Sequence, residues 1–561
     1  MKKRFLFILA VLASSFSFAQ TRESAVINTM NERYELASSD FKKLLTAEPT
    51  NGDLYFFAGD NYFYWGLLDS AEVMFRKGQE VAPTNPLNFV GLGRIGWYTN
   101  NTALSNAQFE KAVTLMTAKG AKVDKNIQVS AYLKMAEAYT QAENKMLEKA
   151  LEYINKAINI NDKDAEAYVQ LGDYNAEKDA VNLSAALAQY SKALQLNPKY
   201  TRALLREGQL YVRVRNWEEG LKYFNQAIEV DPTFAPAYRE KAELLHKANR
   251  DKQAVEVYGK YLELNNSCRV QQRYASFVFE TKDYKQAVIE LEKAAPCDPS
   301  NPFMARLLGY SYYETGQFEK GLENINSFFA VAEAKGSPKL LGSDYAYKGK
   351  LMAKTGQDSL GVEVIKQAIE IDPTYLDGYS DIAGIYVKAK KYALAAEFYQ
   401  KKIAATTGEP NALDHYFLGQ ALFFNKDYAA ADAAFAVAVT KYADSNFWRG
   451  RCNARLDNAE APTGMAAPYF AAYITAYSGD AKTIETNKKN LIESYTYFGI
   501  TYLNQNNLEC SRYAWNKVIE MDPANEKAKL ALEDKELAAV VGNCEGFGTL
   551  APAVAPDNNQ K

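Results

Sequence analysis

Histidine is almost missing from this chain: His246 and His415 are the only two in 561 residues. That scarcity leaves no Ser-His-Asp or Cys-His arrangement and argues against a histidine-rich metal centre. Cysteine is sparse too, with five residues spaced 29, 155, 58 and 34 apart, so no CxxC pair or zinc-like cluster exists. No HExxH, Walker A loop or GxGxxG motif after a strand is present. Beyond the N-terminus, no apolar run approaches the roughly 20 residues that a membrane-spanning helix needs. Lysine and arginine (65) nearly balance aspartate and glutamate (68), so no basic field invites nucleic acid or an anionic membrane. What the chain has in excess is aromatic: 39 tyrosines and 28 phenylalanines.

Residues 1–19 read as a secretory signal. "MKKR" is the positive start, "FLFILAVLA" the apolar core, and Ser17 and Ala19 the small residues before a cut at Gln20. No cysteine lies at the cut, which speaks against a lipid anchor. Losing Lys2, Lys3 and Arg4 takes the formal charge from −3 to −6. The expectation is a soluble exported bacterial protein, periplasmic and at most peripheral to the outer membrane.

The rest of the chain is periodic. Pro49 and Pro83 are 34 residues apart, as are Pro198 and Pro232, and Pro299 follows after 67. Pro373 and Pro523 continue the series. With Thr201 as position 1, Gly208, Gly220, Phe224, Ala227 and Pro232 fall at positions 8, 20, 24, 27 and 32. The period ending at Pro83 repeats this with Gly59, Ala71, Phe75 and Gly78, and the one ending at Pro373 with Gly349, Gly361, Ile365 and Ala368. Small residues let two antiparallel helices approach, a large apolar residue fills the space between them, and proline stops the second helix. Asp or Asn before the proline suits the turn.

This pattern resembles the tetratricopeptide repeat family over about residues 22–541. The resemblance implies an all-α fold, a right-handed superhelical α-solenoid of about fourteen helical hairpins with a C-terminal capping helix. The expected organisation is a signal peptide at 1–19, the solenoid at 20–523, a capping helix at 524–541 and a disordered tail at 542–561. It further implies that the first helix of each hairpin lines a concave groove through positions 2, 5, 9, 12 and 13. Candidate partner-binding residues on that basis are Phe56, Phe63, Tyr64, Arg94, Trp97, Tyr98, Arg202, Arg239, Phe303, Arg306, Tyr310 and Tyr313. Tyrosine, tryptophan and arginine carry much of the binding energy at interfaces. A solenoid of this length can also fold back and bury part of its own groove. One version of the family grips a carboxylate with Lys and Asn at positions 5 and 9. Here Leu133 and Glu137 stand at those places, so that clamp is absent, although Arg202 and Arg206 imitate its second half.

Within the hairpin frame, Cys268 and Cys297 lie at the same end of one hairpin, at a separation suited to a disulfide. Cys510 pairs with Cys544 near the terminal helix, or else with Cys452. Ser70 and Ser359, in "DSA" and "DSL", resemble the acceptor motif of a periplasmic O-glycosylation system; equally, Asp and Ser are good helix caps. The functional expectation is a non-enzymatic scaffold without cofactors that holds protein partners of the cell envelope. The alternative is a glycan-binding helical-repeat protein of an outer-membrane uptake system, with Trp97 as its stacking residue.

Overall fold

A computed structural model describes residues 21–179, 181, 183–458 and 463–549; the signal segment 1–19 lies outside them. The described residues are helical and contain no strand, and no helix among them is long and apolar enough to cross a membrane. Among the described residues, helices from Arg22–Met30 to Leu508–Met521 follow one another as fourteen helical hairpins, and within each half of the chain neighbouring hairpins pack on one another. The chain divides into two compact units, one ending at Ser311 and the other beginning at Tyr312.

The reason for the small residues is visible in each hairpin. A Cβ at Gly208 would stand 2.4 Å from the Phe224 ring, so the two helices meet at a distance only glycine allows. Phe75 serves two neighbours at once: Cβ atoms at Gly59 and at Gly91 of the next hairpin would each lie 2.4 Å from its ring. Where position 8 is alanine, as at Ala25, Ala242 and Ala275, the residue is fully buried. The joint between hairpins is equally regular. Asp231 closes one helix, and its carboxylate accepts from the Thr233 backbone N–H (2.8 Å); Asp298 and Ser300 (3.0 Å) and Asp372 and Thr374 (3.0 Å) repeat the turn.

The turn inside the hairpins was not legible from prolines. Its middle residue sits in the left-handed region, with φ of 85° at Gly66 but also 61° at Arg215 and 59° at Glu32. The next N–H then reaches back five residues, as Asn216 does to the Tyr211 carbonyl (2.9 Å). Glycine is favoured there, but asparagine, lysine and arginine serve, so no single residue type marks the site.

Two disulfides are present. Cys268 joins Cys297 with a Cα separation of 5.6 Å, and Cys510 joins Cys544 at 4.5 Å, leaving Cys452 buried and free. The C-terminus differs from expectation in two ways. The capping helix is broken into Glu526–Glu533 and Lys535–Ala538, because Asp534 turns its carboxylate onto the Glu536 and Leu537 N–H groups and starts a new helix. Moreover, the chain does not run free from Gly542. Phe547 is inserted among Tyr495, Phe498, Tyr502 and Tyr513, with ring centroids 4.8–6.0 Å away, and Gly548 N–H donates to the Tyr502 hydroxyl (2.8 Å). Residues 544–549 thereby cover apolar rings on the last hairpin. Residues 550–561 lie outside the described set.

Two predictions follow from packing. Gly208→Ala, forced against Phe224, destabilises the first unit by about 1–3 kcal/mol, whereas Gly384→Ala, a helical glycine with open space around it, is neutral or stabilising by up to about 1 kcal/mol. Denaturant unfolding of both variants measures the contrast. Cys544→Ser removes about 2–4 kcal/mol from the end of the second unit, read as faster amide exchange in helices Ala481–Asn504 and Leu508–Met521.

Candidate functional site

The first unit closes on itself. Glu32, in the turn of the first hairpin (helices Arg22–Met30 and Tyr34–Ala47), meets the seventh hairpin (Ala235–Lys247 and Asp251–Leu264). Its carboxylate accepts from Arg239 Nε (3.1 Å), Arg239 Nη2 (3.0 Å) and the Tyr261 hydroxyl (2.7 Å), and its carbonyl accepts from Asn265 Nδ2 (2.7 Å). Arg33 Nη2 donates to the Thr233 carbonyl (3.2 Å). Seven hairpins thus form one turn fastened by a polar clasp. The groove here folds back on itself, as a solenoid of this length can, and the turn frames a half-open cavity of about 480 Å³.

Its wall comes mainly from the first helices. Val26, Phe57, Val129, Leu133, Leu205 and Phe234 supply apolar surface, and Glu32, Asp60, Lys134, Glu137, Asp164, Glu166, Arg202, Arg206 and Arg239 supply charge. Position 9 of the second, third and fourth hairpins holds Asp60, Arg94 and Glu137, which alternate in sign on adjacent helices. Arg94 is fully buried behind the wall. Its guanidinium pairs with Asp60, reaches Glu137 Oε2 at 3.4 Å and lies 4.0 Å over the Phe63 ring. Lys134 Nζ stands 3.0 Å from Asp60 and 3.4 Å from Glu137. The Tyr64 hydroxyl donates to the Glu137 carboxylate at 2.7–2.8 Å. Arg202 bridges Glu137 (3.8 Å) and Glu166 (2.6 Å), and Glu166 also accepts from the Tyr200 hydroxyl (2.6 Å).

Burial alone pushes the Glu137 carboxyl up, but Lys134, Arg94 and Arg202 overcome it and hold the group well below the usual carboxylate range. Burial likewise disfavours charge on Lys134, and Asp60 and Glu137 outweigh it, keeping the ammonium above the ordinary lysine range. The Tyr64 phenol is driven up by burial and by Glu137, so it stays protonated and donates. The arrangement is a neutralised ionic belt.

The candidate groove residues separate under this geometry. Tyr64, Arg202 and Arg239 line the cavity. Phe56, Phe63, Arg94 and Trp97 do not face a partner: all are buried, Trp97 to 4% exposure, because adjacent first helices pack side by side. Phe56 rests on Phe75, and Trp97 sets its edge on Tyr139 (4.6 Å). Tyr98 is half-buried against Phe63 (4.9 Å). Phe303, Arg306, Tyr310 and Tyr313 share the helix Pro302–Glu314 and are not part of the cavity wall. Phe303 is 47% exposed, Tyr310 is buried, and Arg306 and Tyr313 are half-buried. Glu32, Lys134, Glu166 and Tyr200 were not singled out from sequence; of these only Glu166 stands at a groove-lining position, position 2 of its hairpin. Ser70 and Ser359 occupy first turns of helices, Ser359 exposed and Ser70 half-buried. Neither they nor their aspartates cap those helices: Leu67 and Gln357 hold that place.

Since the folded Glu137 titrates below its ordinary value of 4.5, its contribution is present above that pH and is lost as pH falls below it. The first unit therefore loses stability on acidification from about pH 5. Glu137→Gln, which leaves Arg94, Lys134 and Arg202 without their shared carboxylate, costs about 3–5 kcal/mol at neutral pH and flattens that acid dependence. Thermal melts from pH 7 to pH 3 test both.

Comparison with known proteins agrees with this architecture. Residues 205–267 match the tetratricopeptide repeat family model. The chain is 21% identical over 237 residues to the TPR repeat-containing protein YpiA of Bacillus subtilis, 42% of this chain and 54% of that protein. It is 24% identical over 306 residues to the human mitochondrial import receptor subunit TOM70, 52% of this chain and 48% of that protein. The chain spans about half the length of such curated relatives. Among solved structures, the C-terminal part of a TPR repeat-containing protein from Cytophaga hutchinsonii is 29% identical, with a TM-score of 0.43 over 47% of this chain and 99% of that one. The family model and the repeat-containing relatives support the tetratricopeptide repeat as the unit from which this chain is built.

Proposed function

We propose that the chain is a non-enzymatic, exported scaffold that holds protein partners of the cell envelope, acting in the periplasm and at most peripherally at the outer membrane. The observation that carries this reading is the convergence of the first helices of successive hairpins on one lined cavity. Tyrosines, arginines and aliphatic side chains facing a common space are the material of a recognition surface. Proteins named for such roles are among the relatives, including the Hsp70-Hsp90 organizing protein 1 of soybean (Glycine max), 22% identical over 43% of this chain and 42% of its own length. Export is supported by the signal-like segment 1–19 and by two disulfides, which persist in oxidising compartments.

The glycan alternative loses its stacking residue, because the Trp97 indole is packed inside the third and fourth hairpins. Modification at Ser359, exposed at the start of its helix, stays part of the proposal and is read from the mass of the native protein.

Crosslinking in the native envelope followed by affinity capture of the tagged chain tests the scaffold. A stoichiometric protein companion in the oxidised, processed form is the expected result. Recovery of no companion, together with binding of envelope sugars, overturns it.

A further inference from the structure

The two disulfides join different kinds of segment. Cys268 opens the helix Cys268–Glu280, and Cys297 ends the short 3-10 turn Ala295–Cys297 after the helix Tyr284–Ala294, so both belong to helices of one hairpin. Cys510 is likewise fixed, in the first turn of Leu508–Met521 and only 2% exposed. Its partner Cys544 is not. It lies in a segment without helix, half-buried, between the exposed residues Asn543 and Glu545. Cutting Cys268–Cys297 leaves both cysteines where their helices put them, whereas cutting Cys510–Cys544 unties a strap.

The strap is shaped for its seat. Gly546 and Gly548 stand in the left-handed region, with φ of 71° and 94°, where a side chain is disfavoured, and they flank Phe547. The ring enters a socket of Tyr495, Phe498 and Tyr502 on the helix Ala481–Asn504 and Tyr513 on Leu508–Met521. The Tyr502 hydroxyl accepts from the Gly548 N–H (2.8 Å) and donates to the Thr549 carbonyl (3.1 Å). A Cβ at Gly548 would lie 3.0 Å from that of Ala471, so the strap also reaches Ala467–Tyr477 of the preceding hairpin. Besides the bond, the hold on residues 544–549 consists mainly of one ring and the two hydrogen bonds to Tyr502. Against it stands the conformational freedom of six residues, each costing about as much as a hydrogen bond returns. The covalent link tips that balance.

We propose that Cys510–Cys544 is a thiol–disulfide exchange site, and that its reduction by a dithiol, protein or small molecule, lifts the strap and uncovers the aromatic face of the last hairpin. The attacking thiolate bonds to Cys544 Sγ, the more accessible sulfur; the Cys510–Cys544 bond breaks, and Cys510 leaves as a thiolate and takes up a proton. The second thiol of the reductant then displaces Cys544 from the mixed disulfide, so the reductant departs oxidised and the chain keeps two thiols. The strap swings on residues 541–543, all exposed and outside any helix. The device works whichever partner the scaffold holds.

The test compares the full-length oxidised protein with the same protein after dithiothreitol without denaturant, the bond state being read by alkylation of Cys510 and Cys544 and mass. Chymotryptic cutting after Phe547, followed as release of the fragment beginning at Gly548, accelerates at least tenfold on reduction. Fluorescence of added anilinonaphthalenesulfonate rises, while far-ultraviolet circular dichroism is unchanged. A chain with Cys510→Ser and Cys544→Ser is cut at the fast rate without reductant. One with Cys268→Ser and Cys297→Ser keeps the slow rate until it is reduced. Three results overturn the inference: a bond that resists the dithiol in the folded protein, equal cutting rates with the bond shown broken, or loss of helical signal when the chain lacking the other disulfide is reduced. The last would make the bond a staple of the fold instead of a latch.

Discussion

The structure depends on the close approach of two helices at a residue without a bulky side chain, opposite a large one. Gly208 against Phe224 and Gly59 against Phe75 are the same contact repeated along the chain. Because Phe75 also meets Gly91, the contact that closes one hairpin seats the next. Stability is therefore assembled neighbour by neighbour, and each first helix is left with one face turned inward.

In the first unit that inward face is folded back on itself. Once Glu32 reaches Arg239, Tyr261 and Asn265, the inner surfaces of six of the seven hairpins share one space, and charges that would be solvated on an open groove become partly buried. Buried charge is tolerated only when it is matched. The alternation of Asp60, Arg94 and Glu137, completed by Lys134 and Arg202, is how this chain matches it.

The repeat, the hairpins and many of their joints were legible because they rest on residues restricted in backbone or size: proline at six of the joints in the series from Pro49 to Pro373, glycine or alanine at the approach. The cysteine positions were legible for a related reason, since a hairpin brings distant residues to a common end. The site was harder to see. Phe56, Phe63 and Trp97 occupy positions that face a groove in an open solenoid, and here lateral packing of first helices turned them into core. Glu32 was invisible because its importance comes from a contact with residues more than 200 positions away. No local pattern encodes that distance. The start of the tail, up to residue 549, was misjudged because its polar composition concealed Phe547, a single ring with a prepared receptacle.

The alternating belt also has a consequence for how such a chain can change. Arrays built from interchangeable modules lengthen or shorten freely, since any module fits beside any other. Here the modules carry an address. Excising the third hairpin would set the carboxylates of Asp60 and Glu137 side by side without Arg94 between them, and duplicating it would set two guanidiniums together. The order of hairpins in this unit is thereby written in electrostatics, and a change in repeat number costs less in the parts of the chain that lie outside the belt.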